Sequence, residues 1–195
     1  MLVFWRQGLV FLATPKTAST SIETALSPLA AVVVMRPPQL KHTNAQRYHR
    51  HVAPFLGDAK GTSFVTTALM REPLDWLGSW YRYRQREGEV AEKSTRSISF
   101  DDFILAYCQP EQPEFARVGA QATFLAPQGF RAVDHIFRYE DMGVFVRFLE
   151  KRLNTKIELP QVNVSPQASL TLSVAVKTRL LHDRAADFAL YDSLS

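Results

Sequence analysis

A short hydroxylated stretch with one lysine follows the first apolar segment of the chain and is suited to anion binding. Residues 8–13 form an apolar run typical of a strand, and residues 21–26 predict a helix. A loop between them offers unpaired helix-start amides and the positive end of the helix dipole, which attract phosphate or sulfate. The candidate anion-binding residues are Pro15, Lys16, Thr17, Ala18, Ser19, Thr20 and Ser21.

This loop is not a Walker loop. It lacks the glycines of the GxxxxGKS/T pattern, and its lysine comes early. Lys16 supplies a mobile positive charge, and the hydroxyl groups that follow it supply hydrogen-bond donors. The alternative interpretation is an ordinary capped turn between a strand and a helix.

A second candidate lies where another buried strand ends. Residues 64–70 form an apolar run that ends at Arg71, and Pro73 is well placed as the first residue of a helix. An arginine at the carboxyl end of a strand is placed to hold a phosphate, and Ser79, about two helical turns later, can donate a further hydrogen bond. Alternatively, Arg71 pairs with Glu72 or Asp75 and Ser79 only packs.

Length and composition narrow the class of protein. The 195 residues fit one domain, covering 1–195, and the 46% hydrophobic content is typical of a folded globular chain. No apolar run is long enough to cross a bilayer, and no secretory signal pattern is evident, so the sequence predicts a cytoplasmic protein without a membrane partner. The single cysteine, Cys108, is interpreted as a buried residue on a helix.

The charge favours an anionic ligand. The formal net charge is +4, and most of the 23 basic residues are arginine, which binds phosphate and sulfate in bidentate fashion. The basic residues are scattered among carboxylates, so nucleic acid is not the expected partner. The one cluster, Arg82, Arg84 and Arg86, is either part of an anionic acceptor site or, as we favour, a solvated face.

Strands and helices are expected to alternate along the chain. This order predicts an α/β fold: a three-layer α/β/α domain with a mainly parallel central sheet and a P-loop-like strand-loop-helix. Polar residues 87–97 predict a surface loop and 160–166 an irregular segment. The predicted strands are 2–5, 8–13, 31–35, 64–70 and 133–137, those at 31–35 and 64–70 being buried. The predicted helices are 21–26, 73–86, 100–107, 115–125, 142–153 and 173–191.

Together and in this order, the motifs resemble those of the sulfotransferase family. Residues 15–21 look like its 5′-phosphosulfate loop, and Arg71-Glu72-Pro73 with Ser79 looks like its 3′-phosphate motif. Residues 137–141 are similar to a segment frequent in the family, and the nearest resemblance is to small bacterial members and the carbohydrate-type branch. The resemblance implies a donor, 3′-phosphoadenosine 5′-phosphosulfate, held by Lys16 and the loop amides at its 5′ side and by Arg71 and Ser79 at its 3′-phosphate. The product would be adenosine 3′,5′-bisphosphate, and the acceptor a small molecule or carbohydrate with a hydroxyl or amine.

Sulfuryl transfer builds negative charge on the leaving phosphate oxygen, which a lysine and helix-start amides stabilise without a metal. The acceptor hydroxyl must lose a proton, and histidine is the expected base. His42, which follows the predicted strand at 31–35, is the first choice for the base. His51 is the second, because residues 48–52 resemble a paired-histidine stretch of the uronyl 2-O-sulfotransferase branch, with Arg50 where that branch has glycine. Packing or exposure is the alternative for both.

Two other functions remain open from the sequence. A nucleotide-dependent phosphotransferase would also use a phosphate loop with lysine and arginine. A non-catalytic module that binds anionic glycans or nucleotides would use the same charges. The missing Walker glycines count against the first, and the presence of Lys16 and the histidines counts against the second.

Overall fold

The structure, a computed structural model, describes residues 1–61, 63–86, 88–160 and 170–194, and it shows an α/β chain with a five-stranded mixed sheet. Its strands are β1 (Leu2–Phe4), β2 (Leu9–Phe11), β3 (Val32–Val33), β4 (Val65–Met70) and β5 (His135–Arg138). Its α-helices are α1 (Ser19–Leu26), α2 (Pro38–Lys41), α3 (Ala45–Arg47), α4 (Ala53–Lys60), α5 (Pro73–Arg84), α6 (Phe100–Cys108), α7 (Gln121–Leu125), α8 (Met142–Leu153), α9 (Val174–Asp183) and α10 (Ala185–Asp192). A π-helix covers Tyr48–Val52, and 3-10 turns cover Ser27–Leu29, Ala91–Lys93 and Tyr139–Asp141.

The strands lie in the order β3-β1-β2-β4-β5. β1 pairs antiparallel with both β2 and β3, whereas β4 pairs parallel with β2 and with β5. The α/β class predicted from the sequence is therefore confirmed, and the sheet is mixed. Because β2 and β4 are parallel neighbours, the segments that follow them emerge at the same edge of the sheet.

Alternate residues of the strands pack on opposite faces of the sheet, as the period of a strand requires. Both faces are apolar, which explains why the strand segments read as continuous apolar runs. One cluster joins the sheet to the π-helix and α4, and includes Val3, Val10, Ala68, Met70, Tyr48 and Leu56. Another joins it to α1 and α8, and includes Phe4, Phe11, Leu69, Ile22, Phe145 and Leu149.

The predicted strand at 31–35 is shorter than expected and is not buried. β3 has only two residues, Val32 and Val33, which are 38% and 40% exposed at the end of the strand order. A β-branched run predicts burial, but an edge strand can carry the same residues. The strand at 64–70, by contrast, is buried as predicted.

The helix predicted over 115–125 forms only at Gln121–Leu125. Before it, side chains of other elements bind the backbone carbonyls: Arg84 donates to Glu114 and Arg117, and the Tyr107 hydroxyl donates to Gly119. Gly119 itself adopts a positive φ of 80°, which does not belong to a right-handed helix. The segment is thus held in an irregular path by tertiary hydrogen bonds.

Several other predictions are confirmed. α5 begins at Pro73, α8 begins at Met142, and Ser99 caps α6 by accepting a hydrogen bond from the Asp102 amide at 3.1 Å. Cys108 is buried at the end of α6. The C-terminal region predicted as helical forms two helices, α9 and α10. Of the irregular segment predicted at 160–166, residues 161–166 lie outside the described residues, as does Glu87 of the predicted loop.

None of the helices in the described ranges is long and apolar enough to cross a membrane.

Candidate functional site

The loop between β2 and α1 has the backbone of an anion-binding turn. Lys16 and Ala18 both adopt left-handed backbone conformations, with φ of 65° and 54°. A left-handed residue next to a right-handed one turns successive amides toward one concave side, the arrangement known as a nest, and Ala18 with Ser19, the first residue of α1, is such a pair. Ala18 is the N-cap of α1 and has no side-chain acceptor for the first-turn amides. The loop therefore offers main-chain donors to an outside acceptor.

The left-handed residues carry a conformational cost, because each non-glycine residue in this region is disfavoured by roughly 1–2 kcal/mol. The surrounding structure holds them in place. The Thr17 hydroxyl donates to the Thr14 carbonyl at 2.9 Å, and the Trp76 indole N–H donates to the Pro15 carbonyl at 2.9 Å. Backbone strain fixed in this way is typical of ligand-binding loops.

Arg71 connects the end of β4 to this loop. Its Nη1 donates to the Lys16 carbonyl at 3.3 Å, so the two motifs predicted from the sequence are brought together. Its Nε and Nη2 each lie 2.6 Å from Oδ2 of Asp75, and its guanidinium lies 4.7 Å from the centre of the Tyr139 ring. The pairing of Arg71 with Asp75, considered as an alternative, is thus present together with the loop contact.

The backbone of Arg71 is held separately from its side chain. Its N–H donates to Oε1 of Gln121 at 3.0 Å, and its carbonyl accepts from Nε2 of Gln121 at 2.8 Å. The Gln121 side chain is buried. These two hydrogen bonds fix the position of the Arg71 backbone, from which its guanidinium side chain extends.

Lys16 lies in an aromatic and cationic environment. Its Nζ is 4.0 Å from the centre of the Tyr83 ring and 5.4 Å from that of Trp80, both on α5. Burial, followed by the nearby charges of Arg86, Arg71 and Arg82, lowers the pKa of Lys16 to about 8. The positive charges therefore repel one another here, and an anion placed among them would relieve that repulsion.

Ser79 is also on α5, one turn after Trp76, and is 3% exposed. Its burial on the helix that carries Trp76 and Trp80 is compatible either with the packing interpretation or with a donor facing the loop.

The three arginines near the end of α5 have different roles. Arg84 is buried, donating to the carbonyls of Glu114 and Arg117, so the interpretation of a solvated face is wrong for this residue. Arg82 lies 3.6 Å from Asp75, and Arg86 lies against the Tyr83 ring at 5.0 Å. Arg82 and Arg86, rather than Arg84, therefore contribute to the positive field at Lys16.

His42 lies beside the strand that leads into the loop. Its Nδ1 is 2.6 Å from the carbonyl of Ala13. A carbonyl only accepts, so Nδ1 carries the proton and Nε2 is the basic nitrogen of the neutral ring. Burial is the main cause that lowers the pKa of His42, with Lys41 also contributing. A neutral ring with a basic Nε2 is the tautomer that a general base requires.

His51 is exposed and lies on the π-helix. None of the hydrogen bonds or ion pairs of the described residues joins it to the Lys16 loop or to Arg71. The remaining histidines have other surroundings: His49 packs against Tyr48, His135 against Phe148, and His182 pairs with Asp183 at the surface.

Sequence reasoning missed several residues that shape the site. Trp76, Trp80 and Tyr83 lie at helical spacing on one face of α5, and the rings of Trp80 and Tyr83 contact Lys16. That spacing is the signal that could have identified them. Gln121 has no such signal, because a lone glutamine in a predicted helix has no feature that indicates a partner.

No protein-family model matches the chain, and a search of curated proteins gives no significant match. Within the described ranges, no three histidine, cysteine, aspartate or glutamate side chains are grouped so as to hold a metal ion.

Proposed function

We propose that the protein is a sulfotransferase that uses 3′-phosphoadenosine 5′-phosphosulfate as its donor. The observation that carries the proposal is the contact between Arg71 and the backbone of Lys16, which unites a left-handed anion-binding loop with the arginine at the end of the neighbouring strand. In this proposal, residues 15–21 hold the 5′ side of the donor. Arg71 and Ser79 hold its 3′-phosphate.

The fold supports this assignment. β2 and β4 are adjacent and parallel, so the loop and Arg71 emerge at the same sheet edge, where ligands bind in open α/β sheets. Apolar clusters lie on both faces of the sheet. We propose on these grounds the three-layer α/β/α organisation with a largely parallel binding half, in which β1 is the strand that departs from the common direction.

The chemistry follows from the charges at the loop. A bond forms between the acceptor oxygen and sulfur while the bond between sulfur and the bridging phosphate oxygen breaks. Negative charge then grows on that phosphate oxygen, where Lys16 and the first-turn amides of α1 stabilise it. The acceptor hydroxyl gives its proton to Nε2 of His42, and the Ala13 carbonyl holds the ring in the required tautomer.

The same loop would suit a phosphotransferase or a silent anion-binding module, so the test must separate these classes. Thermal-shift titrations compare adenosine 3′,5′-bisphosphate, which carries a 3′-phosphate, with ATP, which has no 3′-phosphate and carries a 5′-triphosphate. We expect a larger shift with the bisphosphate, because at equal concentration the ligand that binds the folded state more tightly stabilises it more. Equal shifts with the two nucleotides would contradict the assignment of the 3′ site.

Two variants locate the binding. Arg71→Ala is expected to weaken binding of the bisphosphate roughly ten- to a hundredfold, since hydrogen bonds to charged groups contribute about 1.5–3 kcal/mol. Arg152→Ala, at an exposed position on α8, is the matched control and should leave binding unchanged. Sulfuryl transfer from the donor to a panel of hydroxyl and amine acceptors then distinguishes an enzyme from a silent module: Lys16→Ala should depress turnover more than affinity.

A further inference from the structure

A carboxylate lies beside the candidate anion site, where its charge alone is unfavourable. β4 and β5 are parallel neighbours that pair up to their last residues, so the segments that follow them emerge side by side. These segments begin with Arg71 and Glu72 after β4, and with Tyr139 and Glu140 after β5. A negative charge close to an arginine weakens the binding of a phosphate by repulsion. The position of Glu140 therefore has to be explained by its contacts.

Both carboxylate oxygens of Glu140 accept hydrogen bonds. Oε1 accepts from the Glu72 amide at 2.9 Å, and Oε2 accepts from the Tyr191 hydroxyl of α10 at 2.8 Å. Burial, followed by the hydrogen bond to Glu140, raises the pKa of Tyr191 to about 12, so this hydroxyl stays protonated and donates. Tyr191 is held in turn by Arg138, whose Nη2 donates to its carbonyl at 3.2 Å. Glu140 thus joins α10 to the backbone that follows β4.

A chain of contacts leads from Glu72 to the guanidinium of Arg71. Glu72 is the N-cap of α5, and its Oε2 accepts from the Asp75 amide at 2.6 Å. The Asp75 carboxylate in turn holds Nε and Nη2 of Arg71, and the Lys16 carbonyl holds Nη1. Among the described residues, these contacts leave one N–H on each Nη for an anion. Fixing the Glu72 backbone therefore fixes the start of α5 and the carboxylate that orients the guanidinium.

α10 reaches the same backbone by a second route. The Asp187 carboxylate, which is 5% exposed, accepts from the Ala122 amide at 2.6 Å in the first turn of α7. The preceding residue is Gln121, whose side-chain amide pairs with both backbone groups of Arg71. Three consecutive backbone groups after β4 are therefore bound by side chains whose own positions depend on α10.

We propose that Glu140 is a positioning residue for Arg71, and that α10 sets the affinity of this arginine for a phosphate by holding Glu140 and the start of α7. The inference rests on the proposed function, in which Arg71 binds the 3′-phosphate of the donor. An arginine that its surroundings hold in place loses less side-chain entropy on binding, so its contact with the phosphate is stronger than that of a mobile arginine.

The sign of the effect separates positioning from charge. Removing the Glu140 carboxylate takes a negative charge away from the site, which by Coulomb attraction alone would strengthen the binding of an anion. If the carboxylate positions Arg71, its removal weakens that binding instead. The two explanations therefore predict opposite changes in affinity for the same variant.

Isothermal titration calorimetry of the full chain tests the inference with two probes, adenosine 3′,5′-bisphosphate and adenosine 5′-monophosphate, which differ only in the 3′-phosphate. Glu140→Ala should weaken binding of the bisphosphate about two- to thirtyfold and leave binding of the monophosphate unchanged. Glu140 is exposed, so the variant should fold. A general loss of stability would lower the melting temperature without changing the ratio of the two affinities.

Asp141→Ala is the matched control, because it removes the same charge from the next residue, which is also exposed and whose side chain does not cap α8. It should not weaken binding of either probe. Glu140→Gln keeps an oxygen that can accept from the Glu72 amide and should retain most of the affinity. Tyr191→Phe, which removes only the hydroxyl that holds Glu140, should cause a smaller loss than Glu140→Ala. Added to Arg71→Ala, Glu140→Ala should have no further effect, because positioning acts through Arg71.

The unaltered protein tests the proposed function, and the variants test the positioning role. Equal affinity of the unaltered protein for the two probes would contradict the 3′ site and overturn both. A preference for the bisphosphate that Glu140→Ala retains in full would overturn the positioning role alone. An equal loss in Asp141→Ala, or a further loss when Glu140→Ala is added to Arg71→Ala, would also overturn it.

Discussion

Replacing Lys16 with methionine is expected to stabilise the ligand-free protein while removing its anion binding. The ammonium group is largely buried, and the charges of Arg86, Arg71 and Arg82 act against it. Methionine keeps an unbranched apolar stem of similar length, so contacts with Trp80 and Tyr83 are largely preserved. The charge is what the substitution removes.

The size of the effect can be worked from the pKa. A fall from 10.5 to about 8 corresponds to about 3 kcal/mol of destabilisation of the charged form. Solvent reaches part of the side chain and screens some of this penalty. The cation–π contacts with Tyr83 and Trp80 offset a further ~0.5–2 kcal/mol. The expected net gain for Lys16→Met near neutral pH is therefore about 1–2 kcal/mol.

The stability gained by Lys16→Met must fall as the pH rises. Below about pH 8 the folded-state lysine is protonated and the whole penalty is present. Between about pH 8 and 10.5 the unfolded chain binds more protons than the folded one, so the stability contributed by this site rises with pH. Urea unfolding of both proteins across this range should show their difference shrinking toward zero.

Lys41→Met is the matched control, because Lys41 is also a partly buried lysine but has an opposite charge beside it. Its Nζ lies 2.8 Å from Oε2 of Glu23, a carboxylate that is fully buried. Breaking such a pair leaves a buried charge and should cost about 3–5 kcal/mol, reduced by the Met1 ammonium at 3.5 Å. Equal or greater destabilisation by Lys16→Met than by Lys41→Met would refute the argument that Lys16 is held at a cost.

Three further predictions concern the surroundings of the site. Ala18→Gly should stabilise the protein by about 0.5–1 kcal/mol in thermal unfolding, because glycine adopts the left-handed conformation without the steric strain of a side chain. Ala25→Gly inside α1 should destabilise it by about 1 kcal/mol, and the opposite order would contradict the observed loop. Arg84→Ala should lower the free energy of unfolding in urea by about 2–4 kcal/mol, because it leaves two carbonyls without donors. Arg86→Ala at the surface should change it by no more than ~0.5 kcal/mol, and comparable losses in the two variants would refute the structural role of Arg84. The rate of sulfuryl transfer should rise through a pKa below 6.5, and His42→Ala should abolish that rise with a ~10²–10⁴-fold loss, whereas an unchanged profile would remove His42 as the base.

Local signals in the sequence predicted those parts of the fold that local interactions determine. Pro73 begins α5 because its fixed φ suits a first helical position, and Ser99 caps α6 because its hydroxyl accepts from the Asp102 amide. The apolar run at 64–70 became a central strand because both of its faces are covered. The first two outcomes depend mainly on residues within the element itself, and the continuous apolar run at 64–70 is the local sign of a strand that is covered on both faces.

Position in the sheet and long-range hydrogen bonds escaped prediction. Val32 and Val33 have the composition of a buried strand, and only the strand order places them at an edge. Residues 115–120 have a helical pattern, but Arg84, about 30 residues earlier, takes the carbonyls that a helix would use. For the candidate site, the sequence singled out the Lys16 loop, Arg71 and His42, and the structure shows Arg71 in contact with the loop and His42 beside Ala13, whereas their roles stay predictions. The sequence did not predict the aromatic contacts of Lys16.

Gln121 has a consequence for how the chain can vary. Its side-chain amide presents one acceptor and one donor to the backbone of Arg71, as the peptide group of an adjacent strand would, and so extends the pairing of β4 past the last strand residue. Glutamate lacks the N–H that the Arg71 carbonyl accepts, and asparagine is shorter by one methylene group. Of the twenty amino acids, glutamine alone combines the reach with both halves of the amide. The irregular segment before α7 can therefore change in length or composition only if the Gln121 side chain still reaches the backbone of Arg71. The end of a buried strand thus limits the variation of a connecting segment.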